Sequence, residues 1–180
     1  MTTEVDTIEP PNKPHGIDIQ AIQADVNKTH GAAFFATATW LAACGKHPGD
    51  ADALSCQIGC HIEEFSEFLK TVYIESNTGI TSTAMQELAA HLEGCGAVLK
   101  QGHARATIFD REAALDALCD TEVTGNGVAY LAGMKKVPAD CRVISKNLDK
   151  FNPDGTPVIR EGGKIGKREG WAPPDLSDLV

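Results

Sequence analysis

Five carboxylates carry the chemistry this sequence offers. Glu63, Glu64 and Glu67 stand in the run HIEEFSEF, three and four residues apart, so a helix would present them as neighbours on one surface. Asp116 and Asp120 belong to EAALDALCDTEVTGNGVAYLAGM. There Asp116, Asp120, Val123, Gly127, Leu131 and Met134 follow one another at helical steps, so the aspartates continue an apolar stripe. If that stripe faces a core, two like charges one turn apart are unfavourable unless they protonate or meet a cation. No lysine or arginine shares the stripe, which leaves a divalent metal as the simplest counter-charge. The alternative core face, Ala114, Leu115 and Leu118, leaves both aspartates in solvent, and the glutamates alone read equally well as a solvated acidic face. Hard oxygen ligands suit Mg²⁺ or Mn²⁺ and not zinc. Two or more such ions clamp a triphosphate, offset its charge and activate a water.

The elements that must position these groups read as helices. Leu54, Ile58, Ile62, Phe65, Leu69 and Val72 form one stripe of an amphipathic helix over 52–75, with the three glutamates opposite it. Met85, Leu88, Leu92, Cys95 and Leu99 continue as a shorter helix, introduced by a capping box at Thr83 and Gln86 and weakened by Gly94 and Gly96. Asp110 is placed to cap a long helix over 111–134, and Pro138 suits the first turn of a last helix with Cys141, Ile144, Leu148 and Phe151 on its stripe. Ile19, Ile22 and Val26 mark a first helix over 17–30, followed by an apolar stretch with Phe34, Phe35, Trp40 and Leu41. The expectation is therefore an all-α helical bundle over residues 17–151. An irregular acidic, proline-rich arm precedes it at 1–16. A C-terminal arm of 152–180 follows, with a small hairpin around Gly162–Gly163.

Composition narrows the functions. The chain has 180 residues and a formal net charge of -9, which disfavours a nucleic-acid partner because phosphate contacts need clustered Lys and Arg. No apolar run reaches membrane-spanning length, and the N-terminus is no signal peptide, so the expected location is cytoplasmic, or host-cytoplasmic for a phage protein. None of the six cysteines forms a CxxC pair. Cys56 and Cys60, beside His61, lack a second pair for zinc, and all six read as buried small residues in a reduced compartment. The GNG of Gly125–Gly127 follows a helical pattern, not the strand a dinucleotide site needs, and EGGKIGK lacks the ending and the preceding strand of a P-loop. His61 and His91 read as polar-face residues.

EExxE on one helix, followed by a carboxylate pair ending in Asp on a later one, resembles the all-α nucleoside triphosphate pyrophosphohydrolases, the MazG-like proteins. The first motif is Glu63-Glu64-Phe65-Ser66-Glu67 and the second is DALCD, Asp116 to Asp120. Where that family often has Glu three residues before the last Asp, this chain has Ala117, with Asp116 one residue earlier, and the gap after Glu67 is longer than usual. A third stretch, SKNLDKFNPDGTPVIREGGKIGKREGWAPPDL, resembles the C-terminal segment of phage-encoded members, beginning at Asn147 and Lys150. The resemblance covers about 50–180 well and 17–40 loosely.

The resemblance implies a metal-dependent pyrophosphohydrolase that converts a (deoxy)nucleoside triphosphate to the monophosphate and pyrophosphate. The implied preference is for a purine dNTP, dGTP ahead of dATP. Glu64, Glu67 and Asp120 would bind Mg²⁺ or Mn²⁺ directly, while Glu63 and Asp116 would ligate or hold the attacking water. Lys146, Asn147 and Lys150 would reach the phosphates, although cations near a helix C-terminus also suit its dipole. Asn27, His30 and Phe34 sit where relatives place base-recognising residues, or else form a helix end and core aromatics. Assembly as a homodimer or homotetramer is implied as well. Two rivals stand beside this reading: a non-catalytic helical adaptor in which the carboxylates only solubilise a bundle, and a broad house-cleaning pyrophosphatase. An HD-type or Nudix diphosphatase lacks its motif here.

Overall fold

The computed structural model describes residues 31–75 and 81–180. Two compact units are distinguished, Met1–Phe35 and Ala36–Val180. Of the first, only 31–35 fall among the described residues, and there Phe34 and Phe35 meet edge to face at 5.8 Å. The expected arm at 1–16 and helix at 17–30, with Asn27 and His30, lie outside the described residues.

Five helices account for most of the described chain: α1 (Gly31–Ala43), α2 (Ala51–Lys70), α3 (Ser82–Lys100), α4 (Arg111–Leu131) and α5 (Lys136–Leu148). Two short 3₁₀ turns follow, Glu161–Gly163 and Ser177–Leu179, and no β-strand occurs among the described residues. The all-α expectation therefore holds. Asp50 opens α2 by accepting from the amides of Asp52 and Ala53, and Asp110 opens α4 by accepting from Ala113 N. The start of α3 differs from expectation: Thr81, not Thr83, is the cap, its hydroxyl accepting from Ala84 N.

The antiparallel pair α2–α3 is the core of the described chain. Its seam is made mostly of small residues, and of the large apolar stripe read from the sequence only Leu69 is fully buried. Ser55, Cys56, Gly59, Ser66 and Leu69 are the buried residues of α2, and Ala89, Gly96 and Lys100 those of α3. Phe65, which the periodicity assigned to the packed stripe, is 48% exposed. The buried Ser66 hydroxyl donates to Ala89 O at 2.8 Å, which satisfies it inside the seam. Ser55 accepts from Ala106 N at 2.9 Å and ties the loop after α3 back onto α2.

Helix α4 packs against α5 and makes no comparable contact with α2 or α3. In α4 only Ala129 is buried, and Leu115, Leu118, Val123 and Leu131 are exposed. The last-helix stripe is likewise half open: Cys141 and Leu148 are exposed, Ile144 and Phe151 half-buried. The cysteines divide: Cys44 and Cys56 are buried and Cys60 intermediate, whereas Cys95, Cys119 and Cys141 are exposed, contrary to the expectation of six buried thiols. The C-terminal arm returns as a narrow antiparallel turn. Ile159 bridges Ile165, Arg160 N donates to Lys164 O, and Gly163 N donates to Arg160 O. No helix among the described residues is long and apolar enough to cross a membrane.

Candidate functional site

Among the described residues the EExxE glutamates divide into one that is paired and two that are not. Glu63 is held from two directions. Lys100, at the end of α3, donates to one carboxylate oxygen, and Lys164 from the C-terminal turn donates to the other at 3.0 Å. Burial works against the Glu63 charge, but the hydrogen bonds from Lys100 and Lys164 outweigh it and hold the carboxyl below the usual glutamate range. Lys164 is shifted in the matching sense: partial burial opposes its charge, and the bond to Glu63 raises it above the usual lysine value. Glu63 thus fastens α2, α3 and the C-terminal turn to one another.

Glu64 has the opposite environment. The residue as a whole is exposed, yet its carboxyl is shielded by surrounding atoms, and that shielding, with the charges of Glu67 and Glu63, pushes it up. Lys150 and Lys164 pull it back down without bonding to it. Glu67, one turn on, is exposed and has no ion-pair partner among the described residues. Two neighbouring carboxylates in this state suit a divalent cation, which would remove the repulsion between them. Cys60, a turn before Glu64, is pushed up to about 11 by burial and by Cys56, so at neutral pH it is a thiol and not a nucleophile.

Facing Glu64 is a group of lysines that sequence reasoning largely missed. The Lys150 ammonium lies 5.4 Å from the ring centre of Trp40 and 5.8 Å from that of Trp171, and Lys167 lies 4.4 Å from the Trp171 ring. Burial, then the charge of Lys167, lowers Lys150 below the usual lysine value, while Glu64 works against that shift. Neither Lys150 nor Lys167 has a carboxylate in ion-pair range among the described residues, which is unusual in a chain of net charge -9. The buried indole N–H of Trp40 has no acceptor among the described residues. Unmatched donors and cations within charge range of the Glu64 carboxylate are the complement of a phosphate chain carrying a metal.

The local sequence explains how these lysines arrive. Gly162 takes a left-handed φ of +73°, and a Cβ there would lie 2.2 Å from Lys100 O, so only glycine lets the turn sit on the end of α3. Trp171 Nε1 donates to Lys146 O at 2.9 Å, and Arg168 Nε to Asp149 O at 2.8 Å, which docks the tail onto the end of α5. A legible signal was available in Lys164-x-x-Lys167 following two glycines, a local basic run in an acidic chain.

The other sequence candidates are distributed unevenly. Of Lys146, Asn147 and Lys150, only Lys150 faces Glu64; Lys146 is paired with Asp149 at 2.8 Å, and Asn147 is half-buried in the last turn of α5. Phe34 is 70% exposed. Asp116 and Asp120 are exposed on α4, so within one chain the stripe that would carry them inward lies in solvent, and they do not meet the α2 glutamates. Among the described residues no three His, Cys, Asp or Glu side chains converge as a metal site would require. What the fold and site define is an all-α hairpin carrying two unpaired glutamates opposite a basic, indole-lined surface. No protein-family model matches the chain, and no curated protein and no solved structure is similar enough to match it.

Proposed function

We propose that this chain is a divalent-metal-dependent nucleoside triphosphate pyrophosphohydrolase of the MazG-like, phage-related kind, acting on a purine deoxynucleotide, dGTP ahead of dATP. The observation that carries the reading is that Lys150, which shares the Trp171 ring with Lys167, lies within charge range of Glu64, and that neither lysine has a carboxylate in ion-pair range among the described residues. Glu64 and Glu67, with Asp116 and Asp120, would hold Mg²⁺ or Mn²⁺. When bound, the metal supplies charge neutralisation and an activated water. The chain's own part is to hold the phosphate oxygens on Lys150 and Lys167, with the Trp40 N–H as a further donor, and to keep the triphosphate in line for attack at its α-phosphorus. Cleavage there releases pyrophosphate and leaves the monophosphate.

The test is to separate the products of a dNTP incubated with Mn²⁺. The expected products are dNMP and pyrophosphate, and accumulation of dNDP with orthophosphate refutes the assigned bond. Glu67→Gln and Asp120→Asn are each expected to abolish turnover with helical content intact. The adaptor reading draws on the exposed apolar residues of α4, and Mn²⁺ separates it: a metal site raises the melting temperature by mass action, and an adaptor shows no shift.

A further inference from the structure

Lys100 is the one buried charged residue among the described residues, and Glu63 is its only carboxylate partner there. Drawing Glu63 onto a divalent cation would strand that ammonium, buried and unpaired, beside a second positive charge. The other Glu63 oxygen accepts from Lys164 at 3.0 Å, so both oxygens of this carboxylate are committed to lysines. Lys164 in turn belongs to a segment that spans two parts of the molecule. The 161–163 turn before it rests on the end of α3, where Gly162 packs against Lys100 O. Among the described helices and turns that follow the α2–α3 hairpin, this turn alone packs substantially against the hairpin. At its other end the segment is fastened to the end of α5, where Arg168 Nε donates to Asp149 O and Trp171 Nε1 to Lys146 O. Lys167 lies between, three residues from Lys164 and so at most about 11 Å from it along the backbone. It shares the Trp171 ring with Lys150. The segment thus joins the helix bearing Glu64 and Glu67 to the basic surface, and Glu63 is the point of attachment.

We infer that Glu63 is a positioning residue and not a metal ligand: through Lys164 it holds the Lys150–Lys167–Trp171 surface in register with Glu64 and Glu67, so that one metal-bound polyphosphate touches both. This rests on the reading given above of that surface as the phosphate site and of the two glutamates as metal ligands. The two roles open to Glu63 make opposite demands on Lys164. A metal ligand is helped by removal of a competing cation, whereas a pin is broken by it. Breaking the pin leaves the basic surface itself assembled, because Arg168 and Trp171 still fasten it to α5. Binding of a bare polyphosphate therefore survives, and binding that needs the metal side and the phosphate side together is what fails.

The experiment follows the tryptophan fluorescence of the full chain during titration with inorganic tripolyphosphate, first free with a chelator present, then as its Mg²⁺ complex. The wild type is expected to bind the complex at least about tenfold more tightly than the free anion. E63Q and K164M are each expected to lose at least about tenfold on the complex and less than about threefold on the free anion. E63Q/K164M is expected to be no worse than either single variant, because both substitutions break one link. K164R keeps a cation on Glu63 and is expected to stay within about threefold of the wild type on both forms. Circular dichroism checks each fold. K164M and K164R leave the buried Lys100–Glu63 pair intact, so they decide the matter even where E63Q unfolds. A K164M variant that binds the complex as tightly as the wild type, or more tightly, overturns the inference. An equal K164M loss on the free anion, or an additive loss in the double variant, also overturns it by making Lys164 a direct phosphate contact. A wild type that binds neither form, or both alike, refutes the reading of the phosphate and metal site itself, and the inference falls with it.

Discussion

Gly59 and Gly96 meet where α2 crosses α3, and a methyl group added to either would lie 2.8 Å from the other's carbonyl oxygen. This contact sets how closely the two helices approach, and therefore whether Lys100 and Glu63 reach each other a turn further along. Gly59→Ala or Gly96→Ala is expected to destabilise the chain by about 1–3 kcal/mol through overpacking of the seam, more than alanine's better helix propensity returns. Gly94→Ala, two residues from the seam with open space around it, is expected to be neutral or stabilising. Chemical denaturation of the three variants side by side checks the contrast.

Glu63 and Glu64 are adjacent in sequence and predicted to respond to acid in opposite senses. Glu63 is lowered in the folded state, so its contribution is fully present above the ordinary glutamate value and is lost as pH falls through the lower, folded one. Glu63→Gln should therefore cost about 1–2 kcal/mol near neutrality, below the full penalty of a deeply buried pair because Glu63 keeps some contact with water, and the difference should close in acid. Glu64 is raised, so its ionised form opposes folding at neutral pH when no cation is bound. Glu64→Gln is expected to stabilise the metal-free chain at pH 7, the gain fading as pH falls through the raised folded value and gone below the ordinary glutamate value. Melting curves from pH 3 to 8 with a chelator present measure both. A Glu63→Gln variant as stable as the wild type at pH 7 would show that the Lys100 and Lys164 bonds carry no net stability.

How much of this was legible in the sequence follows from what periodicity can register. Long apolar stripes located α2, α3, α4 and α5 closely, and Asp110 was readable as a cap because its side chain acts on the next turn alone. The packed face of α2 was not readable. Periodicity weighs Leu, Ile and Phe, whereas the seam was decided by how near two backbones approach, which favours Ser55, Gly59 and Ser66 and leaves Phe65 outside. Of the lysine surface Lys150 was readable, whereas Lys164 and Lys167 escaped for another reason. Lys150, Lys164 and Lys167 come together through the Gly162 turn and the Trp171 dock, two tertiary contacts with no periodic trace. Asp116 and Asp120 were readable as a helical pair, but they are exposed, and among the described elements α4 packs mainly on α5.

The basic surface gives a direct optical test. Trp40 and Trp171 are the chain's only two tryptophans, and both border Lys150, so intrinsic fluorescence reports on that surface without a label. Inorganic tripolyphosphate is expected to quench or shift the emission in a saturable way and a nucleoside without phosphate to leave it unchanged. Lys150→Met should weaken the tripolyphosphate response at least about tenfold, since a desolvated charge–phosphate contact is worth about 1.5–3 kcal/mol. In turnover it should raise KM more than it lowers kcat. Lys146→Met is predicted to have little effect because Lys146 is already paired with Asp149. Equal effects of the two substitutions would mean that the lysines act through net charge alone.

The base preference is the prediction furthest from the chemistry of the phosphates. Of the three residues proposed for the base, Asn27 and His30 lie outside the described residues, and Phe34 is an exposed ring able to stack on any nucleobase. Stacking alone discriminates weakly, because every base offers an aromatic face. Steep discrimination needs a polar group that is left buried and unpaired when the wrong base enters, and Asn27, with both a donor and an acceptor, is the side chain suited to that task. If Asn27 reads the base edge, kcat/KM for dGTP should exceed that for dCTP and dTTP by at least about a hundredfold, with dATP between them, and Asn27→Ala should flatten the series without abolishing turnover. If Phe34 alone engages the base, all four dNTPs should fall within about tenfold of one another, and Phe34→Ala should lower them together. Measuring kcat/KM for the four dNTPs and the matching ribonucleotides with one metal decides between these outcomes. A clear preference for dCTP or dUTP would sink the purine assignment, and equal rates would make the enzyme a broad remover of triphosphates.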